Sequence, residues 1–340
     1  VFQTIAGLST KAGVDGTVFP QSETFSTYAW AEGTVGEYFM ENITVGYNAG
    51  EELWKALGET FYWPKNTTVD FISFYPTGLA GITVAEDKIT YTGIDVNTLQ
   101  KDIMYADKAV GYHDNADEVE DGGETALLGV PTLFRHAGAR LKIEAVLTYD
   151  YKAENGDTTR WNVTLKEAYV KGLYTKGSAV FTLSDADATG LVAWTKPAGN
   201  VWTPDAALSV NDTTATDYKI SRYYNMAPNE AVTIVDDIYV LPQALAAGQQ
   251  QIVFKFDVET LRKAAGETAY TSVLTQTDLV AKGNLLIPAG TTAGIENWEI
   301  NHAANYTIYI GPATNPIYFD PAVKAWDATI EQTIDVNKPA

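Results

Sequence analysis

The chain has 340 residues, no cysteine, and 43 acidic against 23 basic side chains, which give a formal net charge of −20 at pH 7. The absence of cysteine excludes disulfides, zinc–thiolate sites and cysteine nucleophiles within the chain. The negative charge argues against binding to nucleic acid or to anionic membranes, because both attract clustered Lys and Arg. No hydrophobic run approaches the roughly 18 residues that span a bilayer.

Strand patterns dominate the first half of the chain. The content of aromatic and β-branched residues favours strands, and apolar and polar residues alternate in short runs bounded by Gly, Asn, Asp and Pro. These runs predict strands at Phe25–Ala31, Thr60–Trp63, Val69–Tyr75 and Leu141–Tyr149. Two short segments, Glu51–Leu57 and Val96–Ala106, have near-helical spacing instead.

A polar stretch, Asp150–Arg160, separates two strong strand patterns and contains Asn155-Gly156. Such a stretch is typical of a hairpin turn or of a boundary between domains. Because 340 residues exceed the usual single-domain size, we expect an N-terminal β-sandwich over 1–155 and a C-terminal one over 156–340.

Strand patterns continue through the second half. They predict strands at Trp161–Tyr169, Ala179–Leu183, Ala231–Leu241, Gln251–Val258, Tyr306–Ile310 and Ile317–Phe319. Loops are expected at Asp185–Asn200 and Ala265–Gln276. The sequence has no short tandem repeat, so the predicted fold class is all-β, with two tandem β-sandwich domains.

The sequence offers no catalytic constellation. Its three histidines, His113, His136 and His302, have no zinc-ligand spacing, and nucleophile-elbow, P-loop and dinucleotide-binding motifs are missing. His136 lies in a strand-like run and is expected to be a packed or hydrogen-bonded core residue. We therefore expect no catalytic residue, no metal site and no cofactor, and a protein that is not an enzyme.

The acidic stretch His113–Glu124 has two interpretations. Its clustered carboxylates could hold calcium, which takes six to eight oxygen ligands. It lacks the ligand order of an EF-hand, however, and a solvated loop explains the same composition.

Aromatic residues also have two interpretations. Phe61–Trp63, with Phe71 and Tyr75, could form a surface on which sugars stack, but Phe71 and Tyr75 share one face of a predicted strand and fit a core. Trp194 and Trp202 flank a Pro-Gly loop and are less easily assigned to a core. They are the candidate ligand-binding residues.

Several motifs together resemble the Bacteroidales fimbrillin-like family, the type V pilins of major and minor fimbriae. They occur in the order of the family: Phe61–Pro64 (FYWP), Val69–Pro76 (VDFISFYP), Asp102–Ala106 (DIMYA), Leu133–Ala137 (LFRHA), Arg140–Ile143 (RLKI), Tyr239–Gln243 (YVLPQ), and Tyr306–Ile310 followed by Val323 and Trp326.

This resemblance implies two transthyretin-like β-sandwich domains. It also implies a lipoprotein that reaches the bacterial outer membrane and loses an N-terminal segment, about residues 1–11, to a trypsin-like maturation protease. Thr10–Ala12 corresponds to the family's T-R-A stretch, so Lys11 is the candidate cleavage site. Lys in place of the commoner Arg favours a protease that accepts lysine.

The resemblance further implies an extracellular fimbria whose subunits assemble by strand exchange. Removing one strand exposes two backbone edges, and the extended segment of a partner can fill them. The candidate donor strand lies within Ala328–Val336, with Ile330, Ile334 and Val336; the alternative is an ordinary last strand of its own domain. Val1–Leu8 is the strand expected to leave.

The predicted function is thus a structural or adhesive subunit of a fimbria. Its expected partners are other fimbrial subunits, the maturation protease, and a surface protein or glycan of a host or another bacterium. The alternative is a surface glycan-binding lipoprotein, with Trp194 and Trp202 in the binding site.

Overall fold

The computed structural model describes residues 2–6, 19–33, 37–99, 101–113, 129–147, 151–183, 185, 199–205, 218–220, 224–226, 230–290, 294–310 and 318–325. The first strands are β1 (Phe2–Ala6), β2 (Thr24–Ala31), β3 (Met40–Asn48), β4 (Leu53–Ala56), β5 (Val69–Tyr75), β6 (Ile82–Ala85) and β7 (Lys88–Asp95). After one helical turn, α1 (Val96–Leu99), follow β8 (Met104–Ala106), β9 (Ala109–Tyr112), β10 (Val130–His136), β11 (Ala139–Leu147) and β12 (Tyr151–Lys152).

The remaining elements are again strands. They are β13 (Thr158–Lys171), β14 (Lys176–Thr182), β15 (Trp202–Pro204), β16 (Tyr218–Ile220), β17 (Tyr224–Met226), β18 (Ala231–Val240), β19 (Gln243–Ala244), β20 (Gln251–Lys263), β21 (Thr271–Asn284), β22 (Asn297–Trp298), β23 (His302–Ile310) and β24 (Tyr318–Ala325). The all-β prediction is confirmed. Within the described ranges no helix is long and apolar enough to cross a membrane.

The chain forms two compact units, and neither is continuous in sequence. Unit 1 holds residues 1–138, 176–205 and 325–329, and unit 2 holds residues 139–175, 206–324 and 330–340. The boundary expected at 155/156 therefore lies inside unit 2, in the hairpin between β12 and β13. The division differs because β14 pairs with β7 of unit 1, whereas β11 pairs with β18 and β23 of unit 2. That the units are transthyretin-like sandwiches stays a prediction.

Unit 1 contains a sheet that closes on itself. Its order is β2-β3-β4-β1-β10-β8-β5, and β5 pairs back onto β2 over Ser26–Ala31, while β9 adds to the other edge of β5. A closed sheet has no unpaired edge strand in its ring. A second sheet of this unit has the order β15-β14-β7-β6.

Unit 2 is built around β11. This strand lies between β18, which is antiparallel to it, and β23, which is parallel. A second sheet has the order β12-β13-β20-β21. Alternate residues of β11 are fully buried in the core: Leu141, Ile143, Ala145 and Leu147. The alternation predicted for this strand is therefore confirmed.

Several predicted elements differ from the observed ones. Glu51–Leu57 is not helical, because Leu53–Ala56 pairs with β3 and buries Trp54. Only the start of Val96–Ala106 is helical, and its end is β8. Thr60–Trp63 forms no strand. The loop expected at Ala265–Gln276 includes the start of β21, whose partner is β20. For Leu53–Ala56 and for the start of β21, pairing with the preceding strand decides the conformation rather than the local spacing of apolar residues.

Candidate functional site at the first strand

Strand β1 completes the closed sheet of unit 1. It runs parallel to β10, with Phe2 opposite Val130 and Ala6 opposite Phe134. On its other side Phe2 pairs with Trp54 of β4, in the antiparallel sense. The ring of paired strands therefore depends on β1 for the link between β4 and β10. Without β1, both neighbours would present unpaired backbone groups.

An aromatic core fills the closed sheet, and the core side chains that the structure describes all follow β1 in sequence. Phe19 is fully buried, and its ring centroid lies 4.8 Å from that of Phe134 and 5.4 Å from those of Trp54 and Tyr75. Phe25 contacts the same cluster, with centroids 5.7 Å from Phe19 and 5.2 Å from Phe134. These rings come from β2, β4, β5, β10 and, for Phe19, the segment that leads into β2, so they stay in the chain if it is cut after Lys11.

Two side-chain contacts join β10 to the residues that flank β8, the strand on the side away from β1, and the contact of Arg135 with Asp107 is a buried ion pair. The guanidinium of Arg135 contacts the carboxylate of Asp107 at two points, Nη2 to Oδ2 at 2.9 Å and Nε to Oδ1 at 3.4 Å. His136 Nδ1 lies 2.5 Å from Asp102 Oδ2, as expected for a hydrogen-bonded core histidine. Since a buried ion left without its partner is costly, these contacts hold β10 in the sheet independently of β1.

Sequence reasoning did not identify the pairing of Arg135 with Asp107. The two motifs that contain or adjoin these residues, Leu133–Ala137 and Asp102–Ala106, are far apart in the sequence. They meet because β10 and β8 are antiparallel, with Arg135 opposite Tyr105. An arginine inside the otherwise apolar strand β10 is the signal that points to such a buried pair.

Trp202, a candidate ligand-binding residue, lies in the core of unit 1. Its side chain is buried, and its indole Nε1–H donates a hydrogen bond to the carbonyl of Ala137 at 2.7 Å. Its ring lies 5.3 Å from Tyr91 and 5.8 Å from Phe181, centroid to centroid. Trp202 therefore offers no open ring face to a ligand. Trp194, its expected partner, lies outside the described residues.

The other predicted site residues also lie outside the described residues. They are the cleavage site Lys11 and the donor-strand residues Ile330, Ile334 and Val336, all of which stay predictions. The acidic stretch is described only at His113. Within the described part of the chain, no three His, Asp or Glu side chains are grouped so that they could hold a metal ion.

The aromatic segment before β5 divides between core and surface. Phe71 and Tyr75 are buried, as expected for the core alternative. Trp63 packs edge to face on Phe71, with centroids 5.9 Å apart, whereas Tyr62 is 80% exposed.

A polar groove of about 680 Å³ lies beside Trp63, lined by Trp63–Thr68 with Glu32 and His113. Three hydrogen bonds order its polar wall. Glu32 N donates to Thr68 O at 2.8 Å, and the hydroxyls of Thr67 and Thr68 donate to Glu32 O and Oε2 at 2.9 and 2.8 Å. The groove has the volume of a small-ligand site.

Comparison with known families gives one match. A family model described as fimbrillin-like matches residues 10–326. The fold is similar to a fimbrial protein from Bacteroides vulgatus, at 15% identity and a TM-score of 0.49, covering 89% of this chain and 92% of that one. It is also similar to the tip fimbrial protein Mfa3 from Porphyromonas gingivalis with C-terminal truncation, at 11% identity and a TM-score of 0.40, covering 89% and 94%. No curated protein sequence matches the chain.

Proposed function

The chain belongs to the fimbrillin-like family, and we propose that it is a structural or adhesive subunit of a fimbria that assembles when proteolysis releases β1. In this proposal a protease cuts after Lys11 and β1 leaves. A strand from another subunit then takes its place between β4 and β10. The protein acts outside the cell, in a fimbria anchored at the bacterial outer membrane, and has no enzymatic role.

The position of β1 carries the proposal. It is the first strand of the chain, it precedes Lys11, and it closes the sheet by pairing with β4 and β10. Its loss would open one slot bordered by two backbone edges, and an extended segment fits such a slot by β-strand addition. The aromatic cluster around Phe19 and the Arg135–Asp107 pair support an acceptor that keeps its shape while the slot is empty.

The net charge of −20 fits this mode of assembly. Mutual repulsion opposes random edge-to-edge pairing between opened subunits. A strand that fits the slot overcomes this repulsion by many backbone hydrogen bonds at once.

Controlled cleavage tests the proposal. The purified chain is treated briefly with a lysine-specific protease, mass spectrometry confirms the cut after Lys11 and the loss of residues 1–11, and size-exclusion chromatography follows assembly. The cleaved protein is expected to form a ladder of oligomers, whereas a Lys11→Gln variant stays uncut at this site and monomeric. A cleaved protein that has lost residues 1–11 and stays monomeric at every concentration, alone or mixed with uncleaved protein, contradicts the proposal.

A second candidate function, glycan binding, is favoured by the groove beside Trp63. An indole next to hydroxyl, amide and carboxylate groups suits a sugar, whose rings have apolar faces and polar edges. The proposed site thus moves from Trp202, which is buried, to this groove. On an array of mucin-type oligosaccharides, the protein is expected to bind, and Trp63→Leu, which keeps apolar packing on Phe71, is expected to abolish binding. Absence of binding by the unaltered protein refutes this second candidate.

A further inference from the structure

A small apolar pocket lies at the end of the closed sheet where β1 begins. Its volume is about 60 Å³, and it is open to solvent on one side. Its inner wall is formed by Met40, Phe71 and Val130, all buried in the aromatic core of unit 1. Phe61 and Tyr62 form part of its outer wall. The pocket therefore connects the core of the closed sheet to the surface.

The register of β1 places its first residue beside this pocket. Val130 lines the pocket and is also the residue of β10 opposite Phe2. Because β1 and β10 are parallel, both strands begin at this end of the sheet. The slot that opens when β1 leaves is thus continuous with the pocket, and a strand that fills the slot passes its mouth.

The rim of the pocket carries an exposed aromatic side chain. Tyr62 is 80% exposed, although both of its neighbours are held against the protein. Phe61 packs edge to face on Phe39 at 5.9 Å, and Trp63 packs in the same way on Phe71. A rigidly mounted, exposed tyrosine beside an apolar pocket is typical of a protein–protein contact, since tyrosine covers much apolar area with little loss of entropy.

The volume of the pocket limits its occupant to part of a side chain. About 60 Å³ is several times the space that one water needs and well below the roughly 150 Å³ that holds benzene. A branched aliphatic group fits between these limits. The segment Ala328–Val336 of this chain offers three such groups, Ile330, Ile334 and Val336.

We propose that this pocket, which we call the anchor pocket, receives one aliphatic side chain of the strand that replaces β1. The strand is supplied by segment 328–336 of a second copy of the chain. This inference rests on the proposed strand exchange and names the subsite that sets the register of the incoming strand. Burial of the aliphatic group against Val130 and coverage by Tyr62 distinguish the correct register from shifted ones, because a slip by one residue turns every side chain to the other face.

Peptide binding to the opened subunit tests the anchor pocket. The probe is a fluorescent synthetic peptide of residues 328–336, titrated into protein cut after Lys11 and freed of residues 1–11. Tyr62→Ser, at an exposed position that leaves the fold intact, is expected to weaken binding about tenfold. Val180→Ser is the matched control, since Val180 is 49% exposed and lies in the second sheet of unit 1, on β14. It is expected to leave affinity unchanged.

Peptides altered one position at a time identify the anchor. Alanine at one of the three aliphatic positions is expected to weaken binding at least tenfold, and Tyr62→Ser is expected to add little further loss with that peptide. The anchor pocket is overturned if the Tyr62→Ser variant binds the unaltered peptide as tightly as the parent protein does. It is also overturned if none of the three alanine substitutions in the peptide weakens binding. So does assembly of the opened subunit without peptide binding. Failure of both assembly and peptide binding refutes the proposed strand exchange itself.

Discussion

Removal of Asp107 should show how firmly β10 is held before and after β1 leaves. Arg135 is 7% exposed and Asp107 is 5% exposed, and the two are joined at 2.9 Å. Asp107→Ala leaves the guanidinium buried without this carboxylate. Removal of one partner of a buried ion pair destabilises a protein by about 3–5 kcal/mol. With a urea m-value of about 1–3 kcal/mol per M, the unfolding midpoint of unit 1 should fall by about 1 M or more.

Hydrogen exchange measures how Asp107→Ala changes the stability of β10 itself. Amides of β10 exchange through local opening, whose free energy reports the stability of that strand. Faster exchange of a peptic fragment covering 129–137 is expected for Asp107→Ala, and the effect should be larger in protein cut after Lys11, since β10 has then lost one of its two neighbours. Unit 2 fragments, such as one covering β23, serve as the internal control and should not change.

A double substitution separates the ion pair from general packing. Asp107→Leu with Arg135→Met removes both charges and keeps apolar volume, so it should be less destabilising than the sum of the two single changes by at least about 2 kcal/mol. The reasoning is refuted if Asp107→Ala shifts the midpoint by less than about 0.2 M, or if the two substitutions prove additive.

Two further predictions concern buried aromatic residues. Trp202→Phe should destabilise unit 1 by about 1–3 kcal/mol, because the buried carbonyl of Ala137 loses its hydrogen-bond donor. Urea unfolding measures this change, with Tyr62→Ala at an exposed position as the control. A change below about 0.5 kcal/mol would contradict a core role for Trp202. In unit 2, burial raises the pKa of Tyr306 well above its usual value. The hydroxyl of Tyr306 ionises near pH 10 in the unfolded state and only at higher pH in the folded state. The free energy of unfolding is therefore unaffected by this group below pH 10 and falls as pH rises above 10. Tyr306→Phe should therefore flatten the decline of stability above pH 10, as measured by thermal unfolding between pH 8 and 11, and an unchanged slope would speak against this assignment.

Part of the site could be predicted from the sequence and part could not. The alternation of apolar and polar residues predicts β11 closely, because side chains of a strand alternate between two faces. The aromatic and β-branched run of β5 also predicts a strand, and that strand is buried along almost its whole length. The strand context of His136 predicts a packed or hydrogen-bonded histidine, and the side chain contacts Asp102 from a partly buried position. The Pro-Gly sequence near Trp202 predicts an exposed loop, whereas the pairing of Trp202 with Ala179 of β14 brings it into the core.

By itself, the sequence determined that the protein is all-β, free of cysteine, strongly acidic and fimbrillin-like. These properties depend on composition, on the alternation of apolar and polar residues within short segments, and on the order of motifs along the chain. None of them requires knowledge of which segments pair in the fold. Only the tertiary structure decided that residues 176–205 return to unit 1, that Arg135 meets Asp107, and that β1 closes a sheet between β4 and β10. Strand pairing joins backbone groups that are the same in every residue except proline, so the partner of a strand is selected by burial and packing of the whole unit.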